Sequence, residues 1–197
     1  TDPNIRTSGL VQVLDPGTVW NMNKLAVAGT TRSVGTLQIA DGAVANVNGP
    51  VVIGRGSSAF GLVSVVEGAA ALNITAGTGP ALEMGVDTAT TDGLVGGGGL
   101  LVEGGTVRVD ATAGGDSRVI VGRLGEGAVN IGAGGAFIVD AAGSLQGGLG
   151  IGTNGGVGSF NLVGDAFGSA GATIRHSGNS ARVGVGVSDG SVTDGFT

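Results

Sequence analysis

The chain has no cysteine, no tyrosine, one histidine and one tryptophan in 197 residues. Without cysteine there is no disulfide framework, no thiolate nucleophile and no Cys-ligated zinc. A single histidine, His176, cannot build a His-rich metal site, and no Ser-His-Asp spacing around it is interpretable as a triad. Its place before Ser177-Gly178-Asn179 predicts an exposed turn residue. Charge is also scarce: 9 basic against 15 acidic residues, net charge −6, with Lys24 the only lysine. Nucleic-acid binding needs a basic surface, and lipid-headgroup binding a polybasic patch, so both partner classes are disfavoured. No apolar run approaches the ~18 residues of a membrane-spanning helix. The opening Thr1-Asp2-Pro3 has none of the pattern of a signal peptide and reads as a fusion scar or a mature-fragment boundary.

What is abundant is glycine, 44 residues, roughly threefold above the ~7% usual in globular proteins. A glycine load of that size often marks disorder. Here 41% of the residues are hydrophobic and only 12% charged, the reverse of a disordered composition. The apolar residues are mostly Val, Ala, Ile and Leu, which suits a narrow core built from short strands.

The glycines recur in a pattern: an apolar residue, an anchor glycine, a short loop, a second glycine, then apolar residues at alternate positions. Ile53-Gly54 leads to Gly61, Val63 and Val65; Val121-Gly122 to Gly127, Val129 and Ile131; Ile151-Gly152 to Gly158, Phe160 and Leu162. Val27-Ala28 leads to Gly35, Leu37 and Ile39, with alanine at the anchor. Val183-Gly184 leads to Gly190 and Val192, and a weaker copy runs from Met84-Gly85 to Gly93. The anchors at 54, 85, 122, 152 and 184 are 31, 37, 30 and 32 residues apart. A further glycine follows seven residues after Gly35, Gly61 and Gly127, and then another apolar segment: Val44 and Val47, Leu72 and Ile74, Phe137 and Val139, with Val107 and Val109 filling that slot in the weak copy.

Each unit therefore holds two or three short strands with period-two alternation, separated by tight turns. One unit cannot bury its apolar row alone, whereas stacked units form a continuous core. No helical periodicity interrupts the pattern. The expectation is an all-β, single-stranded parallel β-helix (β-solenoid) filling residues 1–197, with each unit either one coil or part of a two-coil unit. The last copy stops at Thr197 before its second apolar segment, which predicts a fragment of a longer array.

The stretch from Trp20 to Val44, WNMNKLAVAGTTRSVGTLQIADGAV, resembles the repeats of bacterial autotransporter (type V secretion) passengers, shared with exosortase-sorted surface proteins: Trp, a loop, an apolar-Val-Gly anchor, then Gly-x-Leu-x-Ile-x-x-Gly-Ala-x-Val. Residues Val52 to Leu72 and Ile120 to Val139 look like further copies. The resemblance covers roughly Trp20 to the end and departs from the pattern at Ala28 and at the Met84 copy. It implies a right-handed, pectin-lyase-like β-helix displayed on or released from a bacterial surface, anchored to the outer membrane by a region outside this chain. Ile53-Gly54-Arg55-Gly56-Ser57-Ser58-Ala59 separately resembles the head repeat of trimeric autotransporter adhesins, left-handed β-rolls, although it occurs once.

Candidate chemistry is thin. Gly150-Ile151-Gly152-Thr153-Asn154-Gly155 spells GxGxxG, but a dinucleotide site needs a helix after it, and a repeat turn explains it better. Asp110 and Asp140 occupy equivalent places in two units, each twelve residues before its anchor glycine. Stacking would set their carboxylates on one face, a candidate calcium site; solvated turn residues are the plainer expectation. Gly114-Gly115-Asp116 resembles a calcium-binding nonapeptide, once. A carbohydrate-active β-helix would need carboxylates gathered on one face, and Asp87 with Asp92, or Asp110 with Arg108 and Asp140, are the only candidates. Arg108 alternates with Val107 and Val109 and should point outward. Phe137 and Phe160 fall on inward slots. Phe60, Phe167 and Phe196 are sugar-stacking platforms if exposed, and Trp20 suits a cap over the first coil.

The functional expectation is a non-enzymatic surface segment with no resident cofactor: an adhesin or rigid stalk whose partners are host or bacterial surface glycans or proteins, or further copies of itself. The alternatives are a polysaccharide lyase or hydrolase and a passive surface-layer or biofilm scaffold.

Overall fold

A computed structural model describes residues 7–87, 95–142, 147–164, 171–177 and 183–185. Every named element is a strand, and each coil of the chain contributes three. The first coil holds β1 (Thr7–Val13), β2 (Val19–Met22) and β3 (Leu25–Val27); the second β4 (Ser33–Ala40), β5 (Val44–Asn48) and β6 (Val51–Ile53). The third holds β7 (Phe60–Val66), β8 (Ala71–Thr75) and β9 (Leu82–Met84); the fourth β10 (Gly97–Glu103), β11 (Thr106–Asp110) and β12 (Val119–Val121). The fifth holds β13 (Glu126–Ile131), β14 (Ala136–Asp140) and β15 (Leu149–Ile151); the sixth β16 (Val157–Leu162), β17 (Thr173–Ser177) and β18 (Val183–Val185).

Equivalent strands pair in parallel from coil to coil. They form three six-stranded sheets, β1-β4-β7-β10-β13-β16, β2-β5-β8-β11-β14-β17 and β3-β6-β9-β12-β15-β18. The protein is a parallel β-helix, and one sequence repeat is one coil of three strands. At ~4.8 Å per coil, the six coils span roughly 25 Å along the axis.

The register explains the repeat. In the first sheet Gly9, Gly35, Gly61, Gly98, Gly127 and Gly158 lie in one column. A Cβ on Gly61 would sit 2.6 Å from the Val27 carbonyl oxygen and 2.7 Å from the Gly54 nitrogen. The column is glycine because it faces the backbone of the corner that enters the same sheet. The anchor residues make that corner. Gly54, Gly85, Gly122 and Gly152 have φ of +69°, +60°, +72° and +66°, a left-handed turn that costs glycine little. Ala28 adopts the same turn at φ +56°, so its substitution leaves the register intact. The glycine of the weak copy is Gly98 rather than Gly93, which lies outside the described residues. The third coil takes extra residues in the corner at 76–81 and after β9, and Met84 still pairs with Ile53 and Val121.

After the glycine column, β4, β7, β10 and β13 each point two residues inward: Leu37 and Ile39, Val63 and Val65, Leu100 and Val102, Val129 and Ile131, all 2% exposed or less, whereas Val11 of β1 and Leu162 of β16, in the end coils, are 46% and 45% exposed. In the second sheet the inward pairs are Ala45 and Val47, Leu72 and Ile74, Val107 and Val109, Phe137 and Val139. Val44, expected among the core residues, is outward and half-buried, and Ala45 takes its place. The third sheet closes the core with Val51, Ile53, Leu82, Met84, Val119 and Val121. Phe137 is fully buried and meets the partly buried Phe160 edge-on, centroids 5.6 Å apart at 87°. Trp20 is in register with the buried Ala45 and remains 36% exposed on the first coil. Among the described residues no helix is long and apolar enough to cross a membrane.

Candidate functional site

The outer faces carry ladders. Asn73 donates to Asn46 (2.9 Å) and Asn46 to Asn21 (2.8 Å) on the second sheet. Gln12 donates to Gln38 (2.7 Å) and Asn161 to Asn130 (2.8 Å) on the first. In-register stacking puts identical amides one strand apart, which is the geometry such ladders need. The 25- and 27-residue spacings of the asparagines were legible in the sequence once the coil length was known.

Asp110 and Asp140 are direct partners in the β11–β14 pairing, so the expected stacking holds. Each carboxylate already has a donor. Asp110 accepts from Thr112 Oγ1 (2.6 Å) and Thr112 N (2.9 Å). Those two bonds hold its carboxyl below the ordinary Asp value of 3.8 against the opposing effect of burial, with the charge of Arg108 adding to them. Asp140 pairs with Arg108 at 3.5 Å, and Arg108 points outward as expected, its side chain 41% exposed. Among the described residues no three His, Cys, Asp or Glu side chains gather in a metal-holding group. Asp116 of the single nonapeptide-like stretch is occupied by Arg118, which donates from Nε and Nη2 at 2.6–3.0 Å. That pairing raises the Arg118 guanidinium above its already high value. Glu83, 8% exposed, pairs with Arg123 at 2.6 Å across 40 residues, a contact that only the stacking reveals.

The remaining candidates resolve as follows. The GxGxxG stretch is a strand–turn–strand: Gly150 and Ile151 end β15, Gly152 is the corner, and β16 follows. The adhesin-head motif at Ile53–Ala59 is the same kind of corner, between β6 and β7. His176 belongs to β17, opposite Val139, and not to a turn. Asp92, Phe167, Gly190, Val192 and Phe196 lie outside the described residues. So does Gly186-Val187-Ser188-Asp189-Gly190, which spells the G-x-S-x-G of a nucleophile elbow.

One further depression is a surface the sequence did not advertise. On the outer face of the first sheet, one column reads Val34, Phe60, Gly97, Glu126, Val157 and the next Thr36, Leu62, Gly99, Ala128, Ser159. Both columns shrink to glycine in β10. The gap becomes a trough of about 360 Å³ lined by Phe60, Gly97, Gly99, Glu126, Val157 and Ser159. A second depression of about 380 Å³ shares Glu126 and Val157 and adds Val95 and Leu124. Phe60 is 50% and Val157 67% exposed. The Phe60 ring leans over Gly97, where an added Cβ would meet its Cδ2 at 3.1 Å. Among the described residues Glu126 is the only ionisable side chain lining either depression.

No protein-family model, curated protein or solved structure matches the chain.

Proposed function

We propose that the chain is a non-enzymatic segment of a bacterial cell-surface protein of the autotransporter type, acting as an adhesin or a rigid stalk. The observation that carries this reading is the continuous stack of six coils in three registered sheets. A stack of that kind offers long lateral faces and little else. Among the described residues three ion pairs join ionisable groups of those faces to one another, Arg108–Asp140, Asp116–Arg118 and Glu83–Arg123. Attachment through such a surface sums many weak contacts with glycans or proteins of a host, a substratum or another cell. The repeat resemblance from Trp20 onward supports an extracellular setting, with membrane anchoring supplied by another region.

The test is a glycan array probed with the chain, with and without Ca²⁺, beside a reducing-sugar assay on every hit. Binding without turnover supports adhesion, and calcium dependence that disappears in Asp110→Asn assigns the cation to the stacked aspartates. Turnover overturns the non-enzymatic reading in favour of a carbohydrate-active β-helix, which the trough beside Glu126 makes the second candidate. In the whole surface protein, replacing this segment with a foreign solenoid of equal length separates stalk from adhesin: a stalk tolerates the exchange and an adhesin does not.

A further inference from the structure

We infer that the trough over β10 is a binding site for a neutral saccharide, seated on the Phe60 ring and hydrogen-bonded by Glu126. The inference rests on the adhesive reading above and names the ligand class of one face.

Size comes first. The two joined depressions, about 360 and 380 Å³, fall within the ~300–1,000 Å³ of small-molecule sites. Their floor is made by register: Gly97, Gly99 and Ala128 follow Phe60 and Leu62 in the outward columns, so the surface drops just past an aromatic wall. The Phe60 ring lies over the space a Cβ on Gly97 would take and is half exposed. A large exposed aromatic at one end of the trough and an exposed valine three strands away at the other are surface that gains from being covered.

The chemistry of the lining then selects the occupant. The floor strands β7, β10, β13 and β16 use their backbone groups in pairing with one another, so polar recognition falls to side chains. Those are Glu126, an acceptor, and the Ser159 hydroxyl, a donor and acceptor. A pyranose presents an apolar C–H face and a rim of hydroxyl donors, which match the ring and the carboxylate respectively. An acidic saccharide or a nucleic acid would bring its charge to Glu126 on a chain of net charge −6. An extended peptide would need free strand-edge amides, and the trough lies on a sheet face, not an edge.

The experiment titrates the chain calorimetrically with cellohexaose, maltohexaose, mannohexaose, chitohexaose and, as the acidic comparator, hexagalacturonate. At least one neutral hexasaccharide is expected to bind, and better than hexagalacturonate. Phe60→Ala should weaken that binding about tenfold, and Gly99→Val, which fills the trough, should abolish it. Leu10→Ala, on the same outer face in the first coil, should leave it unchanged. Unfolding midpoints of all variants establish that the folds persist; Gly97→Ser serves as the filling variant if Gly99→Val unfolds. No binding by any neutral hexasaccharide, tighter binding of hexagalacturonate, or unchanged affinity in folded Phe60→Ala overturns the site. Failure of the adhesive reading is distinguishable. Beads coated with the chain that adhere equally well with and without Phe60→Ala leave adhesion standing and remove the site. Cleavage of the bound hexasaccharide keeps the site and removes the non-enzymatic reading.

Discussion

Two glycines in the same column of the first sheet should respond oppositely to the same substitution. A Cβ on Gly61 would lie 2.6 Å from the Val27 carbonyl, 2.7 Å from the Gly54 nitrogen and 2.8 Å from Ile53 Cγ2. Two of these are backbone atoms of paired strands and their corner, which have little freedom to retreat. Gly9, five coils from the other end of the column, has nothing within 4 Å of its added Cβ. Neither residue has a positive φ, so the contrast isolates steric contact from backbone conformation. Overpacking of a tight site costs about 1–3 kcal/mol. Replacing glycine by alanine at a compatible φ/ψ returns about 0.4–1 kcal/mol by restricting the unfolded chain. Gly61→Ala should therefore lose about 1–2 kcal/mol net, and Gly9→Ala should be neutral or gain up to about 1 kcal/mol. For a chain of this size that separates the two melting temperatures by several degrees, at about 2–4 °C per kcal/mol. Urea unfolding followed by far-UV circular dichroism gives the same comparison isothermally. Equal losses in the two variants would refute the argument, because they would show that the column is glycine for a reason other than its contact with the preceding corner.

Other expectations follow from single contacts. Phe137→Ala, at a fully buried position with an edge-on partner in Phe160, should cost about 3–5 kcal/mol by chemical unfolding, and Phe160→Leu clearly less. Thr153 is fully buried with an unpartnered hydroxyl, so Thr153→Val, which keeps the shape, should stabilise the protein by about 1 kcal/mol; a loss would reveal a hydrogen bond at that hydroxyl. Asp110 has a folded carboxyl pKa below the ordinary 3.8, so its contribution to stability is present above that value and disappears as pH falls through the lower folded one. Thr112→Val should raise the Asp110 pKa and flatten this acid limb, which carboxyl NMR titration reads directly. Arg123→Met leaves the Glu83 carboxyl nearly buried and short of its 2.6 Å partner, and should cost about 1–3 kcal/mol, whereas Glu83→Met should cost less; the reverse order in unfolding experiments would contradict this.

The repeat itself was legible because it is written in local chemistry. A left-handed corner demands glycine or a tolerant substitute, and a half-buried strand demands alternation, so Gly54 followed by Gly61, Val63 and Val65 announces a corner and an inward row without any knowledge of neighbours. Stacking of Asp110 on Asp140 followed from the same bookkeeping. What spacing left open was whether a unit is one coil or half of two. The pairing decided that, because strand pairing sets residues about one repeat apart side by side, as Gln12 and Gln38, partners in the β1–β4 register 26 residues apart, mark.

Only the tertiary structure could show what the outward columns make together. Gly97 and Gly99 are unremarkable within a run of glycines, and Phe60 is one phenylalanine among five. Stacking sets Phe60 beside Gly97, and Gly97 beside Glu126, across 37 and 29 positions of chain. The long corners of the third coil conceal that correspondence, since insertions there change the spacing without changing the register. The inward face is dictated by each unit alone, because burial constrains every coil alike. The outward face is a property of neighbours, and the sequence holds it only once the register of every coil is known.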